Sequence, residues 1–261
     1  MEFLFYVVVF IFGLIIGSFL NSLIYRLEIN ESFLWSRSYC PHCKTILSWK
    51  DLIPILSFFI LKGKCRYCRE RISLQYPLVE LATGILFLFP FFLKLSSFID
   101  LIFYWFIFCV LIVIFVYDLK HYLIPEKLVY LAILFTLFYH LFKSWTINNL
   151  DLLFILNLIF AIFPSLFFLT IILISRETWM GWGDFQLSIL MGLILGWPNI
   201  LVALFFAFFI GFFVSLILIL LKKKTMKSQI PFAPFLVVGT FLAMFLGKEI
   251  INWYLKFGMI E

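Results

Sequence analysis

The stretch Cys109-Val-Leu-Ile-Val-Ile-Phe-Val-Tyr-Asp118 is apolar until it ends on a carboxylate. A second acid, Asp184, follows Gly181-Trp-Gly183 and opens the run Phe-Gln-Leu-Ser-Ile-Leu-Met. A carboxylate near hydrocarbon costs roughly 2.5–3.5 kcal/mol even on the lenient insertion scale. Acids kept in such places serve pairing, transport or catalysis. These two lie 66 positions apart on different apolar segments, so only the fold can bring them together. A carboxylate pair is the first hypothesis.

Composition sets the solvent. The chain has 261 residues, is 65% hydrophobic and contains 37 Phe; its mean hydropathy is +1.13. A soluble domain cannot carry that balance, because its surface needs the charges. Several apolar runs are long enough to cross a bilayer as helices. The first, from Phe3, lacks a basic start and an Ala-x-Ala-like exit and reads as a retained helix, not a cleaved signal. The fold class is therefore an all-α integral membrane protein, with helices predicted at about 3–25, 78–95, 98–117, 127–143, 151–174, 184–197, 199–221 and 231–254. The sixth is short and ends in a turn at Trp197-Pro198-Asn199.

The net charge of +6 reports topology, not nucleic-acid binding. With eight crossings, one face holds sixteen of the 20 basic residues: those from Arg26 to Arg71, then Lys120, Lys127, Arg176, Lys222, Lys223, Lys224 and Lys227. The other holds Lys94, Lys143, Lys248 and Lys256. The positive-inside rule places the first set in the cytoplasm and both termini outside. Asp118 and Asp184 then fall at the same, cytoplasmic face. Three regions follow: a first transmembrane helix over 1–26, a cytoplasmic insert over 27–76, and a seven-helix bundle over 77–261.

The insert contains Cys40-Pro-His-Cys43 and Cys65-Arg-Tyr-Cys68, with 21 residues between the pairs. Two such knuckles at this separation signal a four-cysteine zinc site. The reducing cytosol favours metal over disulfides, and Lys62, Lys64, Arg66, Arg69 and Arg71 offset the charge of four thiolates. Four cysteines close the shell, so the Zn2+ is structural and His42 a bystander. Cys109 reads as a packing residue.

Around the two acids, Gly181 and Gly183 are expected to support Asp184 by allowing close approach or positive φ. A helix N-terminus favours an anion and a C-terminus disfavours one. Asp184 and Asp118 are thus predicted to differ in readiness to ionise, as a water-activating pair requires. Pro125 and Glu126 suit the first turn of the fourth helix. Pro231 and Pro234 suit the start of the eighth, and Glu80 reads as a capping acid.

Taken in order, these segments resemble a known family. Gly17-Ser-Phe-Leu-Asn21-Ser-Leu-Ile-Tyr-Arg26, Ser36-Arg-Ser-x-Cys-Pro-x-Cys, Leu47-Ser-Trp-x-Asp51-Leu-Ile-Pro54, Gly63-Lys-Cys-Arg-Tyr-Cys68 and Ile72-Ser-x-Gln-Tyr-Pro-Leu-Val-Glu80 are similar to the bacterial type IV prepilin peptidases. So are the Asp118 segment, Gly-x-Gly-Asp184 and Pro-Phe-x-Pro. The resemblance implies a multi-pass aspartic endopeptidase of the bacterial cytoplasmic membrane. Such enzymes cut the leader from prepilin or pseudopilin helices of pilus and type II secretion systems at the cytoplasmic side. Many then methylate the new N-terminus with S-adenosylmethionine. It makes Asp118 and Asp184 the catalytic acids and Cys40, Cys43, Cys65 and Cys68 the zinc ligands. The chain departs from the family at Gln186, where Lys is usual, at Glu126 for Asp and at Ala233 for Gly. Two rival functions use the same residues differently. An ion-coupled transporter needs acids near midplane on broken helices. A zinc-bearing scaffold of a secretion machine needs neither acid.

Overall fold

In the computed structural model, residues 2–29, 31, 37–93, 95, 97–146, 152–225 and 228–257 are described. Ser36, named above, Lys94 and Lys227, counted above, and residue 151, where the fifth helix was predicted to begin, lie outside them. The described chain is all-helical, with no strand beyond two isolated bridges in the insert. It forms two compact units, Met1–Val113 and Ile114–Glu261.

In the first unit, helix α1 (Glu2–Ile29) leads into the insert, which carries the short helix α2 (Leu56–Ile60). Helix α3 (Gln75–Leu88) follows and tightens into a 3-10 turn over Phe89–Phe92. The long helix α4 (Phe98–His121) begins here and ends in the second unit. Helices α1 and α3 meet backbone to backbone. A Cβ on Gly13 would lie 2.8 Å from the Gly84 Cα, and one on Gly17 would lie 2.6 Å from the Glu80 Cα. Small residues four apart permit this approach where lipid gives no hydrophobic drive for association. Trp105 then stacks on Phe87 at 4.9 Å and donates its indole N–H to the Phe87 carbonyl.

The second unit contains the end of α4 and helices α5 (Glu126–Thr146), α6 (Leu152–Ile162), α7 (Ser165–Ser175), α8 (Trp182–Leu195), α9 (Asn199–Leu220) and α10 (Ala233–Phe257). Among the described residues, six helices are long and apolar enough to span a membrane: α1, α3 with its 3-10 extension, α4, α5, α9 and α10. The single fifth helix predicted over 151–174 is instead two pieces of 11 residues. Pro164 has no N–H to give and ends the first piece at the turn of Phe163 and Pro164. Helix α8 is also short, 14 residues, so the count of eight full crossings is not reproduced.

Close backbone contact recurs here. Gly192 of α8 lies against the Ala161 carbonyl of α6, and Gly239 of α10 against the Ala203 carbonyl of α9. The imidazole of His140 on α5 hydrogen-bonds the Leu193 carbonyl near the end of α8 at 2.7 Å.

Because Gly239 faces backbone that cannot retreat as a side chain would, Gly239→Leu is expected to separate α9 from α10 and destabilise the bundle by about 1–3 kcal/mol. Thermal unfolding in detergent should show a lower midpoint; an unchanged one would contradict the contact.

Candidate active site and candidate metal site

The cysteine pairs form two matching knuckles. In each, the second cysteine is followed by a residue at positive φ: Lys44 at 56° and Arg69 at 63°. In each, that residue's N–H returns to the first cysteine's carbonyl, Lys44 to Cys40 and Arg69 to Cys65. One short bridge flanks each knuckle, Tyr39 to Ile46 and Lys64 to Arg71. The repeated turn aims all four sulfurs inward, and all lie within 4.8 Å of one another. The Cys40 and Cys68 sulfurs are 3.9 Å apart. Tetrahedral ligands at ~2.3 Å from a central zinc stand about 3.8 Å apart, so the set fits that ion.

As four thiolates, the sulfurs would favour a cation between them. Hydrogen bonds from Thr45 draw the Cys43 thiol down to about 6. At Cys68 the Glu70 N–H acts downward, but burial and the neighbouring sulfurs push that thiol up to about 12. Four thiolates at this spacing repel one another unless a positive charge sits between them.

Two acids hold the rest of the insert, and sequence reasoning missed both roles. The Asp51 carboxylate accepts from the Ser48 N–H and hydroxyl, from Tyr67 and from the Arg66 guanidinium at 2.6 Å. Burial works to raise its pKa, but these donors prevail and hold it below the ordinary value. Glu80, predicted to cap its own helix, lies instead beyond the first turn of α3 and accepts from the Ile55 N–H at 2.8 Å and from Ser18. Ile55 has φ 61° and ψ −52°, and Leu56 N–H bonds the Pro54 carbonyl at 2.5 Å. That is a γ-turn with a β-branched centre, a strained geometry that persists only when its surroundings fix it.

In the second unit, Asp118 lies in the last turn of α4, buried, and Asp184 is the third residue of α8. The fold brings them close enough for the Asp118 charge to act on Asp184. The Asp184 N–H donates to the carbonyl of Gly181, the residue just before α8, at 3.3 Å. Asp118 receives the Ala233 N–H at 3.2 Å. Ala233 is the first residue of α10, so its N–H has no partner within the helix. The α10 N-terminus therefore faces Asp118, which corrects the expectation that only an unfavourable helix C-terminus acts there.

Of the two properties expected of the glycines, Gly183 shows the close approach and neither shows the backbone conformation. Neither has positive φ. A Cβ on Gly183 would meet the Ile124 Cβ at 2.8 Å, so glycine lets α8 lie against the 122–125 turn. Gly181 faces open space. Gln186 is buried and donates to the Tyr130 hydroxyl at 2.8 Å, tying the first turns of α8 to α5. A cavity of about 340 Å3 has Phe115, Leu119, Tyr122, Pro231 and Pro234 among its walls; Lys224 is its one charged lining residue among the described residues, and Asp118 is not part of the lining.

Residues 11–93 match the Bacterial Peptidase A24 N-terminal domain and residues 105–216 match the Type IV leader peptidase family. A prepilin leader peptidase/N-methyltransferase of Bacillus subtilis (strain 168) is 33% identical over 258 residues, covering 97% of this chain and 98% of the relative. The chain belongs to the type IV leader peptidase family. Proteins of the same description from Legionella pneumophila and Aeromonas hydrophila are each 31% identical, covering 97% of this chain and 96% and 94% of their own lengths. No solved structure matches the chain. As a type IV leader peptidase it is a multi-pass membrane enzyme, and neither a transporter nor an inert scaffold.

The Ala233 donor can be removed without harming its helix, because proline is tolerated at a first helical position. Hydrogen bonds to charged groups are worth about 1.5–3 kcal/mol. Ala233→Pro is therefore expected to lower peptidase kcat roughly 10- to 150-fold in protein that still folds and inserts, with a somewhat lower unfolding midpoint. Unaltered turnover would remove this contact from the active arrangement.

Proposed function

We propose that this chain cleaves the leader from type IV prepilins or pseudopilins by an aspartic mechanism at the cytoplasmic face of the bacterial inner membrane. The observation that carries the reading is the approach of Asp118 and Asp184, from helices α4 and α8, in a chain of this family. In the reaction one carboxylate is ionised and the other protonated. The ionised acid takes a proton from water as its oxygen attacks the scissile carbonyl. The protonated acid donates to the carbonyl oxygen, and the proton held by the first then passes to the departing amine. The Ala233 N–H holds Asp118 in place for this exchange. The charge asymmetry of the loops supports the cytoplasmic side.

The metal is proposed to be zinc, bound through Cys40, Cys43, Cys65 and Cys68. A closed four-thiolate shell is structural, so zinc would tie the two knuckles together and take no part in hydrolysis. Methylation of the new N-terminus follows from the names of the relatives. S-adenosylmethionine would supply the methyl group. The cavity lined by Phe115, Pro231 and Lys224 does not suit it, because the walls are mostly apolar and Lys224 carries the same charge as the sulfonium.

Asp118→Asn and Asp184→Asn should each abolish leader cleavage in proteoliposomes while inserting normally, since an amide can neither take nor share the proton. Both variants should still label a pre-cleaved pilin from radioactive S-adenosylmethionine. Near-normal cleavage by either would reject the pair.

Purified protein should carry about one zinc per chain. Cys40→Ser with Cys43→Ser should lose it and expose residues 37–73 to protease, because metal binding and folding are coupled. A metal-free preparation with a protease-resistant insert would overturn the assignment.

A further inference from the structure

The insert displays an apolar surface that its metal fold does not use. Leu56, Phe59 and Ile60 of α2 are 60%, 68% and 72% exposed, and Trp49, ahead of them, is 71% exposed. A cytosolic knob of this size has no reason to leave four large apolar side chains bare.

Where α2 sits explains them. Its first turn follows Ile55, whose N–H is fixed to the Glu80 carboxylate at 2.8 Å. Glu80 is the sixth residue of α3, about 7.5 Å along that helix from Gln75. Side chains lean toward a helix N-terminus, which lowers the carboxylate by part of that rise. Even so, α2 begins beside the first or second turn of a membrane-spanning helix. The strained γ-turn at Ile55 folds the chain back to that level, and Glu80, on the spanning helix α3, receives it. On α3 itself Leu78, Leu81 and Ile85 are exposed at helical spacing, with Leu74 just ahead of them, a stripe facing lipid from the same depth upward.

The charges fit the same surface. Lys62 and Lys64 are exposed just after Ile60, and neither forms an ion pair among the described residues. The Lys50 ammonium lies 5.6 Å from the centre of the Trp49 ring. Apolar residues beside flexible lysines suit the boundary between acyl chains and acidic headgroups, where the stems bury and the ammoniums reach phosphate.

We infer that Trp49 and Leu56–Ile60 are an interfacial anchor that lays the cysteine insert on the acidic phospholipid surface of the membrane. The insert is thus held against the bilayer by its own apolar contact, in addition to its two connections to α1 and α3.

The test uses the full-length protein in liposomes of phosphatidylcholine and phosphatidylglycerol containing a trace of phospholipid with a diazirine near the top of one acyl chain. After illumination, lipid adducts are mapped by mass spectrometry. Adducts are expected on Trp49 and on Leu56–Ile60, as well as on the exposed stripe of α3. Phe59→Ser with Ile60→Ser should cut those on 49–60 at least fivefold and leave those on α3. Should that variant fail to fold, Lys62→Gln with Lys64→Gln offers a second route: adducts on 49–60 should fall, and should no longer rise with phosphatidylglycerol content. Labelling of α3 with none on 49–60 would overturn the anchor. So would p-benzoylphenylalanine at position 59 that crosslinks to prepilin or to a second copy of the chain but not to lipid.

Discussion

A carboxylate at the end of a membrane helix must find a donor, and Asp118 finds one in the backbone of a segment 115 positions away. The need is mutual. Helix α10 starts within the bundle, between two prolines, and its first N–H groups have no carbonyl behind them. The bond between Ala233 and Asp118 satisfies both ends at once. It fixes where α10 begins, and the contact of Gly239 with Ala203 carries that placement to α9. On the opposite acid, Gly183 lets α8 settle on the turn that follows α4, which brings Asp184 within reach of Asp118.

Local spacing is what sequence conveys best. The cysteine knuckles were legible because each pair of ligands and its turn lie within six consecutive residues. The apolar runs were legible for the same reason, although counting them gave eight crossings where six described helices are long enough to span. The break at Pro164 was also written in the chain, inside an apolar run whose length outweighed it in the reading.

Contacts made by backbone, or across long separations, left no comparable trace. Nothing about Ala233 as a residue type announces a donor to a carboxylate, because every residue but proline carries that N–H. Glu80 looked like a capping acid because its true partner, Ile55, is 25 residues earlier and contributes only its amide. The glycines before Asp184 suggested both conformational freedom and close approach, and only the second holds, at Gly183. Gln186 stands where a cation was expected, and its bond to Tyr130 gives that position a neutral, structural partner.

The matching cysteine knuckles have a consequence for how the chain enters the bilayer. Helices α1 and α3 are separated by 45 residues, far more than a membrane hairpin needs. An open connection of that length opposes their meeting through lost chain entropy. With zinc bound as proposed, joining the knuckles through four sulfurs shortens the connection to a compact corner whose two exits lie side by side. The first two spans then behave as one insertion unit, a helical hairpin whose turn is a metal fold. Its assembly depends on the supply of reduced thiols and metal in the compartment where the loop is made.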